Sequence, residues 1–186
     1  LPICSKAKIK AVATDMASAY YSAVLKNLPN AKHVFDRFHI VKLMNDKQTQ
    51  LRRDLQREAD KMGKKVLKGL RFLLLKHQEK LDEAKNERAR LMEALDLNQP
   101  LAIAYYLKED LGQIWEQSNK AIAGRFLKDW CARARASGIK VLQTMANTLE
   151  GHRTGILNWY DFPISTGRLE GINNKIKVIK RMAYGF

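Results

Sequence analysis

From Val41 to Leu95 the apolar residues recur every three or four positions, which commits the middle of the chain to helices. Val41, Met44, Leu51, Leu55 and Met62 form one stripe with polar residues between them. Gly63 breaks the run, and Val66, Leu70, Leu73, Leu81, Ala84, Leu91 and Leu95 take it up again. The pattern predicts a long antiparallel helical hairpin, close to a two-stranded coil.

Helical spacing continues to about residue 160. Asn98-Gln99-Pro100 is a turn, with Pro100 suited to the first position of a helix carrying Leu101, Tyr105, Leu107, Leu111 and Trp115. Ser118 is the expected cap of the next helix, which Ser137-Gly138 closes, and a further helix starts at Ile139. Trp115, Trp130 and Trp159 fall at apolar helical positions and are expected in the core. The α/β signal is confined to the beginning. Residues 8–14 read as a short buried strand, and residues 16–28 as an amphipathic helix with Ala17, Tyr20, Tyr21, Val24, Leu25 and Leu28 on its apolar face. Pro29-Asn30 ends that helix, and Ala31 to Asp36 reads as a second strand.

Charge points to the partner. The 186 residues hold 34 Lys and Arg against 19 Asp and Glu, a net charge of +15, which favours a polyanion, nucleic acid above all. Hydrophobic residues make up 46% of the chain, enough for a core. Cys4 and Cys131 stand far apart in no zinc or disulfide pattern, and a reduced cytoplasm is expected. No apolar run is long enough to span a bilayer. Both termini read as cut from a longer protein, since Leu1 precedes a strand closely and Phe186 directly follows a basic helix.

Chemistry concentrates near the end. Ser165 to Lys177 reads as a helix start with Ser165 or Thr166 as N-cap. Helical spacing puts Glu170, Asn173, Asn174 and Lys177 on one face, which Lys180 and Arg181 extend. One acid, two amides and several cations do not build a core; they suit a metal ion at one end and a phosphate backbone at the other. Glu170 also fits the positive end of a helix dipole, and Lys175, Lys177, Lys180 and Arg181 also fit a solvated face. Asp15, between a strand and a helix, is either a catalytic acid or a helix cap. Asp36 and His39 either lie behind a metal site as a pair or anchor the helix that follows. His77 sits within a helical apolar pattern and is expected to be packed or on the surface, and His33 and His152 show no ligand spacing.

Three segments together resemble a known family. Val12-Ala13-Thr14-Asp15-Met16 with Tyr20, then Val34-Phe35-Asp36-Arg37-Phe38-His39-Ile40-Val41-Lys42, then Glu170-Gly171-Ile172-Asn173-Asn174-Lys175-Ile176-Lys177 with Lys180-Arg181 and Ala183-Tyr184-Gly185-Phe186 are similar to the ISL-type DDE transposases of bacterial insertion sequences. The resemblance implies an α/β fragment of a ribonuclease H-like domain with a large all-helical insertion, mostly α overall. Residues 1–42 would be a partial core, 43–160 the insertion, and 161–186 the core helix bearing the last acid. It further implies that Asp15 and Glu170 are catalytic metal ligands for two Mg2+ (or Mn2+) ions, which activate water and then a DNA 3′-hydroxyl. Asn173, Asn174, Lys175, Lys177, Lys180 and Arg181 would hold DNA, both transposon ends and target. A homo-oligomer in the bacterial cytoplasm, associated with the nucleoid, is implied as well.

The family's first aspartate has no counterpart here, because residues 1–14 contain no acid. The chain alone is therefore expected to be inactive in strand transfer, and its sheet edge to promote self-association. Two other classes compete: a non-catalytic helical module for DNA binding or dimerisation built on the 41–95 hairpin, and a nuclease without strand transfer.

Overall fold

In the computed structural model residues 6–184 are described, with Arg168, Leu169 and Glu170 described by backbone alone. Cys4, Gly185 and Phe186 lie outside the described residues. The chain divides into two units, one from residues 1–40 and 154–186, the other from 41–153.

The first unit is built on a strand–helix–strand: β1 (Ala11–Thr14), α1 (Ser18–Asn27) and β2 (Lys32–Phe35). The strands pair in parallel, Ala11 opposite Lys32 and Thr14 opposite Phe35, with α1 as the crossover that parallel strands require. β2 is the buried strand, with His33, Val34 and Phe35 inside. β1 is half-buried throughout, which corrects the expectation of a buried first strand. α1 departs from its expected apolar face too, burying Val24 while Tyr20, Tyr21 and Leu25 are 57%, 44% and 51% exposed. Tyr21 still leans its ring on His33 and Phe35, at centroid distances of 5.3 and 6.3 Å.

The returning chain closes this core through α8 (Arg153–Leu157) and the 3-10 turn Asn158–Tyr160. Asn158 donates its Nδ2–H to the His33 carbonyl at 2.9 Å. Gly155 is required by contact: a Cβ there would sit 2.4 Å from Phe35 Cδ2. After Asp161-Phe162-Pro163 the chain enters its last helix, α9 (Gly167–Tyr184).

The second unit is helical. α2 (Arg37–Glu58) leads into it and buries Met44 and Leu51. The break expected at Gly63 falls earlier, where Asp60 caps α3 (Lys61–Gly69) by accepting the Gly63 N–H at 2.7 Å. The uninterrupted second arm of the hairpin is not formed. From Leu70 to Asn86 the chain makes turns and one 3-10 turn (Gln78–Lys80), and helix resumes only at α4 (Glu87–Asp96).

Polar side chains explain that break, because they take the backbone groups that a helix would otherwise bond. Lys108 Nζ, on a side chain 3% exposed, donates to the carbonyls of Leu74 at 3.0 Å and Lys76 at 2.7 Å and lies 2.8 Å from Glu109. The Glu87 carboxylate accepts from Lys76 Nζ at 2.6 Å and from the Asp82 N–H at 2.9 Å. Of the spaced apolar residues, Leu70, Leu73, Leu91 and Leu95 are nevertheless buried in one cluster with Leu67, Leu74, Leu101 and Tyr105, while Met62, Val66 and Ala84 are exposed and correct the expected stripe.

Asn98 caps α5 (Gln99–Leu111), so Pro100 takes its second position rather than its first. Asn119, not Ser118, caps α6 (Lys120–Ala136) by accepting the Ile122 N–H at 2.9 Å. Gly138, with φ at +70°, turns the chain into α7 (Lys140–Gly151). Trp130 is fully buried and donates its Nε1–H to the Leu107 carbonyl at 2.8 Å, Trp115 is buried, and Trp159 is half-buried. Among the described residues no helix is long and apolar enough to cross a membrane.

Candidate active site

The chemistry of the first unit gathers where β1 and β2 end. Asp15 follows β1 directly and is half-buried. Its Oδ1 accepts the Ala17 N–H at 3.0 Å, folding a turn ahead of α1. The N-cap of α1 is Ala17 itself, so Asp15 is not the cap. Its Oδ2 has no hydrogen-bond partner among the described residues.

Asp36 follows β2 in the same way, but its carboxylate is buried, 2% exposed, and fully engaged. Oδ1 accepts the Phe38 N–H at 2.9 Å, which caps α2. Oδ2 accepts from Ser165 Oγ at 3.1 Å and from both the N–H and the Oγ1–H of Thr166 at 2.5 Å. Its backbone N–H donates to the Thr14 carbonyl at 3.0 Å. One residue therefore ties the end of β1, the start of α2 and the entry to α9. Burial pushes the Asp36 carboxyl up, but the hydrogen bonds from Thr166, Phe38 and Ser165 outweigh it and hold the group below the usual carboxylate value.

His39 is half-buried with its ring edge-on to Phe38 at 5.6 Å. The Asp36 carboxylate accepts from Phe38, Ser165 and Thr166, and the His39 backbone N–H donates to the Asp36 carbonyl at 3.1 Å. His33, which showed no ligand spacing in the sequence, lies 2.6 Å from Thr14 Oγ1 through its Nε2 and so links the two strands by side chains.

Ser165 Oγ accepts the Gly167 N–H at 3.0 Å at the start of α9. Glu170 lies one turn into this helix, and its carboxylate is outside the described residues. Asn173, Asn174, Lys175, Lys177, Lys180 and Arg181 are all exposed. The opposite face carries Ile172, Ile176 and Ile179, at 54%, 45% and 63% exposure. What the sequence alone does not reveal is the Ser165-Thr166 grip on Asp36. Its only trace is a hydroxyl pair directly before Gly167.

Comparison with known proteins decides the family. The transposase family of the ISL3 type matches the chain over residues 2–186. The chain belongs to the ISL3-type transposase family. It is 37% identical over 195 residues to the transposase of insertion sequence element IS1001 from Bordetella parapertussis, covering 100% of this chain and 46% of that protein. It is 28% identical over 204 residues to the transposase of IS1557 from Mycobacterium tuberculosis, covering 97% of this chain and 45% of that protein. The chain thus spans about half the length of the curated relatives it matches. No solved structure matches it.

Within this ISL3-type chain the donor chemistry at Asp15 fits a hard divalent cation: a carboxylate oxygen, half-exposed and without a competing hydrogen bond. Asp36 does not fit, because both its oxygens are committed. Among the described residues no three His, Cys, Asp or Glu side chains gather around one point.

Proposed function

We propose that this chain supplies two of the acids of a DNA strand-transfer site in a longer transposase, on a ribonuclease H-like core. Asp15 and Glu170 would hold two divalent ions, Mg2+ or Mn2+, which when bound supply charge neutralisation and an activated oxygen nucleophile. The carrying observation is the double attachment of Asp36, through its N–H to Thr14 and through its carboxylate to Thr166. It fastens the strand end next to Asp15 to the start of the Glu170 helix. In parallel α/β sheets the carboxyl ends of the strands are where ligands bind, and both Asp15 and Asp36 occupy that position.

The remaining work falls to α9. Asn174 and Lys177 follow Glu170 by one and two turns and would hold the DNA backbone near the scissile phosphate, with Asn173, Lys175, Lys180 and Arg181 adding contacts. Such contacts fix position without reading sequence. Self-association is part of the proposal: a second copy would cover the exposed Ile172, Ile176 and Ile179 stripe.

The test separates chemistry from binding. Glu170→Gln in the full-length protein is expected to abolish transposition, while the same change in the present chain leaves its affinity for duplex DNA unchanged or raises it. Transposition that survives Glu170→Gln would overturn the assignment. The present chain alone is expected to be inactive, and Mg2+-dependent nicking by it, lost in Asp15→Ala, would contradict that.

A further inference from the structure

The corner between α2 and α3 gathers cations that the protein itself does not neutralise. From Arg52 to Arg71 the chain places eight Lys and Arg against Asp54, Glu58 and Asp60, a net charge of +5. Asp60 is occupied in capping α3. Asp54 lies 3.2 Å from Arg57, and Arg53, Lys61, Lys64, Lys65 and Lys68 have no ion pair among the described residues. Elsewhere in the unit several cations do meet acids: Lys76 with Glu87, Lys85 with Asp82, Arg133 with Asp110 and Asp129, and Arg135 with Glu150.

The corner is also concave and preorganised. Arg53, Gln56 and Arg57 on α2 and Lys64 on α3 line an open cleft of about 460 Å³. Behind it Arg52, 6% exposed, donates from Nη1 to the Leu67 carbonyl at 3.2 Å and to Gln56 Oε1 at 2.8 Å. This bond fixes α2 to α3 and engages the Gln56 oxygen, which leaves the Gln56 amide N–H groups for an acceptor in the cleft. Burial first, then the charges of Arg53 and Arg71, disfavour the charged form of Arg52. Like charges held together without counterions are relieved by an anion.

We infer that the α2–α3 cleft is a DNA-backbone site, in which Arg53, Arg57 and Lys64 contact phosphates and Gln56 donates from its amide. It is additional to the contacts proposed on α9, and it rests on the proposal that the chain handles DNA. Phosphate contact of this kind carries no sequence preference and is strongly salt-dependent.

The experiment is fluorescence anisotropy of the purified chain with a short labelled duplex, titrated over about 50 to 200 mM salt. The triple variant Arg53→Gln, Arg57→Gln, Lys64→Gln changes only exposed side chains, and circular dichroism checks its fold. Each phosphate contact contributes about 0.9 to the slope of log K against log salt, so the triple is expected to lower the slope by about 2 to 3 and weaken binding at least about tenfold near 0.1 M salt. A control triple, Arg125→Gln, Lys128→Gln, Lys140→Gln, removes the same charge from other exposed positions and is expected to leave the slope unchanged. An unchanged slope in the cleft triple, or an equal loss in both triples, overturns the site while leaving DNA handling intact. A wild-type chain that binds no DNA overturns both.

Discussion

Asp36 and Thr166 stand 130 residues apart in the chain and are joined by two hydrogen bonds to one carboxylate oxygen, each 2.5 Å long. Ser165 and Phe38 donate to the same carboxylate. The helix that carries Glu170 therefore has its entry fixed by a residue at the end of β2, and not by local capping alone. Hydrogen bonds to a charged group contribute about 1.5–3 kcal/mol each, and four donors sharing one carboxylate are not additive. Asp36→Ala is expected to lower unfolding stability by about 3 kcal/mol, read in a urea titration, because it removes all four bonds to the charged acceptor and leaves part-buried donors unpaired. Asp36→Asn, which keeps one acceptor oxygen, should lose less. A loss under about 0.5 kcal/mol, the scale of an ordinary surface change, would show that Asp36 does not anchor α9.

The same carboxylate makes stability depend on pH. Its folded pKa lies below the unfolded value, which for Asp is about 3.9. Between those two values the unfolded chain binds more protons, so stability rises with pH through that window. The Asp36 contribution is complete above about pH 5 and is lost as pH falls through the folded pKa. The stability difference between wild type and Asp36→Asn, measured by urea titration from pH 7 downwards, should stay level to about pH 5 and then shrink. A difference that grows on acidification would mean the buried carboxyl is protonated in the fold.

Gly155 and Phe35 make a second long-range contact, and a steric one. With the Phe35 ring 2.4 Å from where a Cβ would stand, Gly155→Ala forces the ring or α8 to move. Overpacking of this kind costs about 1–3 kcal/mol. The cost should fall when Phe35 is first changed to Leu, which removes the flat ring edge. A double-mutant cycle by thermal unfolding reads the coupling. Equal penalties in both backgrounds would place the strain elsewhere.

How much of this is readable from the residues alone follows from what each signal encodes. Helical spacing says which residues are apolar on one side, and Leu70, Leu73, Leu91 and Leu95 are indeed buried together, whereas Met62 and Val66 of the same pattern are exposed. Spacing does not say whether the backbone between them bonds to itself. From Leu70 to Asn86 it does so in turns and one 3-10 turn rather than a continuous helix, and a lysine from a helix further on takes the carbonyls of Leu74 and Lys76. Capping chemistry is local and reads better: Asn98 marks its turn, and the misplaced cap at Ser118 is wrong by one residue. The parallel strand–helix–strand at the start is clear from its period and its Pro29-Asn30 turn. Exposure of Tyr20, Tyr21 and Leu25 is not, since periodicity cannot say what a helix packs against. In the candidate site Asp15 and Asp36 stand out as acids after strands, yet their difference appears only in three dimensions. Asp36 is saturated by donors from a distant segment, whereas Asp15 keeps an oxygen uncommitted.

Lys108 gives the irregular segment its own test. Its ammonium holds the carbonyls of Leu74 and Lys76 and pairs with Glu109, which also accepts the Gln78 N–H at 3.0 Å. Burial lowers the pKa of this lysine, and Glu109 partly restores it, so the charge is kept by its partners rather than by water. Lys108→Met preserves most of the side-chain volume and removes every donor. The buried Leu74 carbonyl then has no bond in its place, at about 1–3 kcal/mol for each unsatisfied group. The turns from Leu70 to Asn86 should open before the helices around them do. Limited proteolysis with thermolysin is expected to cut Lys108→Met within that segment while wild type resists under the same conditions. Cleavage at equal rates in the two proteins would show that the leucine cluster holds these turns without help from Lys108.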